Sequence, residues 1–148
     1  MGSRQLALAG PSSDVFVGLP PSPGFRAVAH AILVLAVFDM IAMFRGFQGV
    51  HEWVSTTPMA ISPRDDKALI TRAKSAVIWA CLYYPKSAAC LQRSSALVRL
   101  LRLGGIAAQV VVGVQSLPFR SHAWAEYKGV VLNDGQSAPA FYAEIHRF

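Results

Sequence analysis

The sequence predicts an α+β domain, and the order of its patterns is what predicts it. From Phe25 to Gly105 the apolar residues recur at helical spacing; beyond it, Val-rich and alternating runs take over. Two of those later runs, SHAWAEY (121–127) and VVLND (130–134), are joined across a glycine-bearing turn, as an antiparallel hairpin requires. Helices first and an antiparallel sheet afterwards make the α+β class. At 148 residues the chain can build one core, with little room for a second.

Residues 1–24 are rich in Pro, Gly and Ser without helical period and are expected to form a mobile or loosely docked arm, with a short strand over VFVGL (15–19). Residues 25–45 are the most apolar stretch, long enough for a helix of five to six turns. About 20 apolar residues span a bilayer, but His30 and Asp39 interrupt this run. A charge near the bilayer centre costs about 2.5–3.5 kcal/mol, so the reading is a core helix, or one that covers a partner. GFQGVHEWVSTTP (46–58) reads as a turn and a short amphipathic helix stopped by Pro58.

A further helix is expected over 62–85, with Ser62 as N-cap, Pro63 in the first turn, Asp65 and Asp66 at the positive end of the dipole, and Pro85 as terminator. Cys81 lies near its end among Trp79, Leu82 and Tyr83, an ordinary packing position. The next helix, within 86–105, takes Ser87 as N-cap and stops at Gly104-Gly105, which places Cys90 in its first turn. AAQVVVGVQ (107–115) is a buried strand, the hairpin follows, and APAFYAEIHRF adds a last strand or turn.

The formal net charge of +6 suits an acidic partner, yet the Lys and Arg are scattered and do not interleave with aromatics, which argues against a nucleic-acid groove. Hydrophobic residues make up 53% and charged residues 15%, apolar enough to suggest that surface is covered by partners or touches membrane. Two cysteines make no disulfide framework, and no zinc-ligand spacing is present, so neither metal nor cofactor is expected. With no evident secretory signal, the expected compartment is the cytoplasm, where a cysteine paired with a distant histidine is a candidate nucleophile.

The hairpin holds His122 near one end and Asp134 near the other. Setting them opposite each other centres the turn on Lys128, giving a three-residue loop Tyr127-Lys128-Gly129 with glycine last, where a left-handed residue is favoured. A two-residue turn would leave them diagonal and less well aligned. A carboxylate on one imidazole nitrogen fixes the tautomer and turns the other towards a nucleophile. Cys90, at a helix start, has the placement that lowers a thiol pKa, and its backbone N–H is a candidate oxyanion donor. Trp124 and Glu126 share the strand parity of His122 and are candidates to line the cleft. A Cys, a His and an Asp occur in most chains and are structural in most; placement alone singles this trio out. His30, His51 and His146 lack such a context, and Ser94, Ser95 and Ser121 sit in no G-x-S-x-G elbow.

CLQRSSALVRLLRLGGIAAQVVVGVQSLPFRSHAWAEYKGVVLND (90–134) resembles the transglutaminase-like leader peptidases of lasso peptide biosynthesis, the B proteins. The likeness rests on the Cys-Leu-x-Arg-Ser opening, the Leu-rich helix ending in Gly, the Gly-Val strand, Pro-Phe, His-Ala-Trp-x-Glu and the final Asn-Asp; Gln92 departs from it. The resemblance implies a papain-like cysteine protease core at 61–148 behind a helical region at 25–60. It implies Cys90 as nucleophile, His122 as base and Asp134 as orienting acid, acting to remove the leader of a precursor peptide. It also implies a separate leader-recognition protein, for which this chain has no room, and an ATP-dependent cyclase that closes the ring. The same trio serves amide exchange in a transglutaminase-like acyl transferase, and a non-catalytic scaffold subunit is the remaining alternative.

Overall fold

A computed structural model describes residues 19–61 and 65–148. All but Leu19 of the expected strand at 15–19 and most of the arm, together with Ser62 and Pro63, lie outside the described residues. Three helices, α1 (Phe25–Ser55), α2 (Asp66–Tyr83) and α3 (Cys90–Leu103), precede β1 (Gln109–Ser116), β2 (Phe119–Tyr127), the two-residue β3 (Val130–Val131), a four-residue helix α4 (Ala138–Phe141) and β4 (Ala143–Arg147). The strands form one antiparallel sheet in the order β3-β2-β1-β4. The α+β class stands, with the sheet antiparallel throughout.

α1 contains the expected break: Gly46 has non-helical dihedrals, φ 61 and ψ −156, between the long apolar helix and the short amphipathic one. Val28, Ala31, Leu35 and Phe38 are buried along one side, the three-and-four spacing of a core-facing stripe. Leu33, Met40, Met43 and Phe44 remain exposed, and by length and composition the helix is apolar enough to cross a membrane. Its buried stripe meets Ala73, Ala76, Val77 and Ala80 of α2 and Ala96, Leu97 and Leu101 of α3 in a core that also takes Val110 and Ala125 from the sheet. The alanines on α2 allow close helix approach. On the opposite face of the sheet Val111, Trp124 and Val131 pack with Ala138 and Tyr142, as strand alternation dictates.

Two expected caps are corrected. α2 starts at Asp66 with Asp65 as its N-cap, the carboxylate accepting from the backbone N–H of Ala68 at 3.1 Å. Asp65 therefore does what had been expected of Ser62. α3 starts at Cys90 itself, with Ala89 as N-cap and no side-chain cap bond; Ser87 is exposed in the extended lead-in. Tertiary bonds hold this helix start instead, among them Gln92 Nε2 donating to the Leu35 carbonyl at 3.1 Å.

The hairpin turn is also corrected. Tyr127 pairs with Val130 and Glu126 with Val131, which leaves a two-residue turn, Lys128-Gly129, with φ 50 and φ 76. Positive φ at both positions matches the twist of the flanking strands, the reason such turns dominate short hairpins. Tyr127 is kept in the strand by its hydroxyl, which donates to Asp66 at 2.7 Å, and Lys128 Nζ lies 4.9 Å from the Tyr127 ring centroid. Continued strictly, this register would set Asp134 across from Ala123, facing away from His122. The strand ends before that can happen.

Gly129 carries the strictest backbone requirement of the turn. A β-branched residue in the left-handed region costs about 1–2 kcal/mol, so Gly129→Val is expected to lower the melting midpoint by roughly 3–10 °C. Calorimetry that finds the midpoint unchanged would remove the left-handed requirement.

Candidate active site

α3 brings Cys90 to the outer edge of β2. In a strand the backbone groups of alternate residues point to the same side. Ala125 directs its N–H and C=O towards β3, so Ala123 directs its own to that side as well. Beyond the two residues of β3 the neighbour is the start of α3: the N–H of Ala123 is a hydrogen-bond donor to the Cys90 sulfur, and Ser94 Oγ donates to the Ala123 carbonyl at 3.1 Å. Cys90 is thus held next to His122.

The three side chains form a chain of hydrogen bonds. His122 Nε2 pairs with Asp134 Oδ2, which leaves Nδ1 for the thiol. The other carboxylate oxygen of Asp134 accepts the N–H of Gly135 at 2.7 Å, so both oxygens have partners. The hydrogen bond to His122 holds the Cys90 thiol below its ordinary range; burial opposes this, and the N–H groups of Ala123 and Leu91 reinforce it. His122 moves the opposite way, up to about 9, through its bond to Cys90 against the effect of burial, with Asp134 adding to it. Shifts in opposite directions, each caused first by the other partner, favour the thiolate–imidazolium form of the pair. As the first residue of α3, Cys90 also has a backbone N–H without an intrahelical acceptor.

Cys81 is a contrast. Burial pushes its thiol up, only partly offset by Arg93, and it packs at the margin of the helical core.

Trp124 and Glu126 share the His122 face as expected but do not form an open cleft wall. Trp124 is 1% exposed and lies beneath the imidazole, ring centroids 6.3 Å apart, with Tyr142 5.1 Å from His122 on another side. Gly113 makes this possible, since a Cβ there would come within 2.8 Å of Tyr142 Cβ and 3.0 Å of the Trp124 ring. Glu126 accepts from Trp124 Nε1 at 3.3 Å and pairs with Arg147 at 3.0 Å. The face that alternation assigns to these two residues is covered by Ala138 of α4 and by Tyr142, so they support His122 from below.

The remaining histidines lie elsewhere. His30 lines a cavity of about 500 Å³ with Arg26 and Arg72 between α1 and α2, and His51 and His146 meet each other and Phe148 at tilted angles, with Phe47 edge-on to His146. Among the described residues no group of three His, Cys, Asp or Glu is arranged to hold a metal ion. Sequence reasoning missed Asn133, whose amide bonds both Ser94 and the Ala125 backbone. It noted Ser94 only as a weak nucleophile, although its spacing of four from Cys90 sets it on the same helix face.

With Cys90 lowered and Cys81 raised, a haloacetamide at pH 7 should alkylate Cys90 the faster. On acidification the Cys90 rate should persist to lower pH, because the thiolate is the reacting species. Peptide mapping of the labelled chain reads both rates; equal rates would contradict the thiolate assignment.

Three comparisons bear on this geometry. The profile of the Transglutaminase-like superfamily matches residues 32–147, from within α1 to the end of β4. The chain is 49% identical over 45 residues to the Microcin J25-processing protein McjB of Escherichia coli, a match covering 30% of this chain and 22% of that protein's length. No solved structure matches. A profile that spans all three helices and the sheet, including the hydrogen-bonded Cys90, His122 and Asp134, establishes that the chain belongs to the transglutaminase-like superfamily.

Proposed function

We propose that the chain is a cysteine endopeptidase that removes the leader from a lasso precursor peptide. The observation that carries this reading is the Cys90 thiol at a helix start, hydrogen-bonded to an imidazole that Asp134 holds from its other side. The resemblance of residues 90–134 to leader peptidases and the similarity to a microcin-processing protein support a peptide substrate.

In this mechanism the Cys90 thiolate attacks the scissile carbonyl, forming a C–S bond, and the developing oxyanion is received by the free N–H of Cys90. The C–N bond breaks as His122 gives its proton to the departing amine, which is the new N-terminus of the product peptide. Neutral His122 then takes a proton from water, the hydroxide displaces the thiolate from the thioester, and the leader leaves as a carboxylate. Asp134 keeps the imidazole oriented and stabilises its cation through both protonation changes. A separate recognition protein presents the leader, a cyclase takes the product, and the reactions occur in the cytoplasm. The exposed Leu33, Met40, Met43 and Phe44 of α1 support membership of an assembly.

The test is to mix purified chain with precursor peptide, with and without the recognition protein, and weigh the products. Expected are two fragments whose masses sum to the precursor plus one water, strong enhancement by the recognition protein, and no cleavage by Cys90→Ala. Capture of the leader by an amine would transfer the reading to acyl transfer, and cleavage surviving Cys90→Ala would leave a scaffold.

The pH profile of kcat/KM follows from the two shifts. Activity requires thiolate and imidazolium together, so it should rise through the lowered Cys90 pKa and fall near pH 9 as His122 loses its proton. Because Asp134 helps raise His122, Asp134→Asn should draw the falling limb to lower pH and reduce kcat by about 100-fold or more. An Asp134→Asn enzyme with both quantities unchanged would take the carboxylate out of the mechanism.

A further inference from the structure

We propose that Ser94 and Asn133 are positioning residues that hold Cys90, His122 and Asp134 in register; the inference rests on the catalytic reading of that trio. The need for such a device comes from the turn. The two-residue loop fixes a ladder in which Asp134 would face away from His122, so the chain must leave the ladder between Val131 and Asp134 and do so at a fixed place.

Asn133 is where it leaves. The N–H of Leu132 still donates to the Ala125 carbonyl at 2.8 Å, half of a ladder pair. The other half, the N–H of Ala125, goes to Asn133 Oδ1 at 2.8 Å in place of a strand carbonyl. A side-chain amide thus closes the sheet edge and releases the backbone to turn, and the next residue, Asp134, reaches the imidazole. The second end of the same amide, Nδ2, donates to Ser94 Oγ at 2.9 Å, and Ser94 passes its own hydrogen to the Ala123 carbonyl at 3.1 Å.

Each anchor of this chain adjoins one member of the trio. Asn133 precedes Asp134, Ala123 follows His122, and Ser94 lies one helical turn beyond Cys90. The chemistry of the two side chains suits the task. Asn offers an acceptor and a donor on one rigid plane, Asp has no donor when ionised, and a hydroxyl can accept and donate at once. The amide orientation is determined as well, since reversal would set Nδ2 against the Ala125 N–H. Ser94 is 0% exposed, so losing its hydroxyl strands the buried Ala123 carbonyl.

The experiment measures, on the whole 148-residue chain, the pH midpoint of Cys90 alkylation together with kcat, KM and melting temperature for Asn133→Ala, Asn133→Asp and Ser94→Ala. Asn133→Asp keeps the acceptor for Ala125 and removes the donor to Ser94 but adds a negative charge near Asp134, so the uncharged Asn133→Ala must move the midpoint in the same direction. The expected result is a Cys90 midpoint that climbs towards the ordinary thiol range, with kcat reduced on the order of 10- to 100-fold and KM within about threefold. A purely structural role would lower melting and yield while the folded protein kept the wild-type midpoint and kcat, and that result overturns the proposal. Should Ser94→Ala fail to fold, the two Asn133 variants decide, because that side chain lies at the surface. The alkylation midpoint needs no substrate. If the wild-type chain cuts no precursor even with the recognition protein present and the variants still shift the midpoint, the peptidase reading falls and the positioning role stands.

Discussion

Along one edge of β2 the hydrogen-bonding neighbour changes from a strand to a helix, and the site exists because of that change. Glu126 and Tyr127 lie against β3, Ala125 is shared between Leu132 and the Asn133 side chain, and Ala123 turns its two backbone groups to Cys90 and Ser94. A longer β3 would have covered this edge and excluded the helix start. A shorter one would have left no turn to bring Asp134 back. Two paired residues satisfy both demands, and the polar side chains around them complete the pairing that a regular strand would have supplied.

The charges at this edge are tied to the helical core. Asp39 is the one acidic residue in the apolar first part of α1, and it holds the link that leads into α3. Tyr84 donates its hydroxyl to Asp39 at 2.5 Å and Lys86 reaches it at 2.8 Å. Burial alone would raise the Asp39 carboxyl; its bonds to Lys86 and Tyr84 outweigh that and hold it low. Burial and Asp39 together push Tyr84 up to about 12, so it remains a donor throughout the working range. Gln92, two residues after the nucleophile, reaches both groups and bonds the Leu35 carbonyl. A residue that breaks the pattern of an apolar helix thereby fixes where the next but one helix begins.

What the sequence discloses, and what it withholds, follows the range of the interactions involved. Helix periods, the break at Gly46, strand parity and the left-handed Gly129 depend on neighbours within a few residues, and all are legible. Helix starts depend on more. Ser62 and Ser87 have the right chemistry for caps, but α2 is capped by Asp65 and α3 is held by Leu35 and Ala123, contacts across 57 and 29 residues. The turn shows the same limit in a smaller space. A three-residue loop would set His122 opposite Asp134 by ladder geometry, and the structure joins them by departing from the ladder at Asn133. Nothing local distinguishes those routes, because Asn133 acts through Ser94, 39 residues away.

The basic charge of the chain has a similar explanation. Arg99 donates to the Trp53 carbonyl at 2.6 Å and to Thr57 Oγ1 at 2.7 Å, with its guanidinium 4.3 Å from the Trp53 ring centroid. Arg102 donates to the carbonyls of Val54 at 2.8 Å and Ala108 at 2.9 Å. Trp53 and Val54 end α1, where carbonyls lack intrahelical partners and the helix dipole is negative. Two of the positive charges therefore serve as caps, at the expense of burial that lowers both guanidinium pKa values. With Gln92 and the Asp39 cluster at one end of α3 and these arginines towards the other, the helix is fastened to α1 at both ends. Rotation of α3 about its axis would break one set or the other. The polar bonds to α1 and the bonds of Ser94 and Cys90 to the β2 edge thus constrain the same helix from two sides.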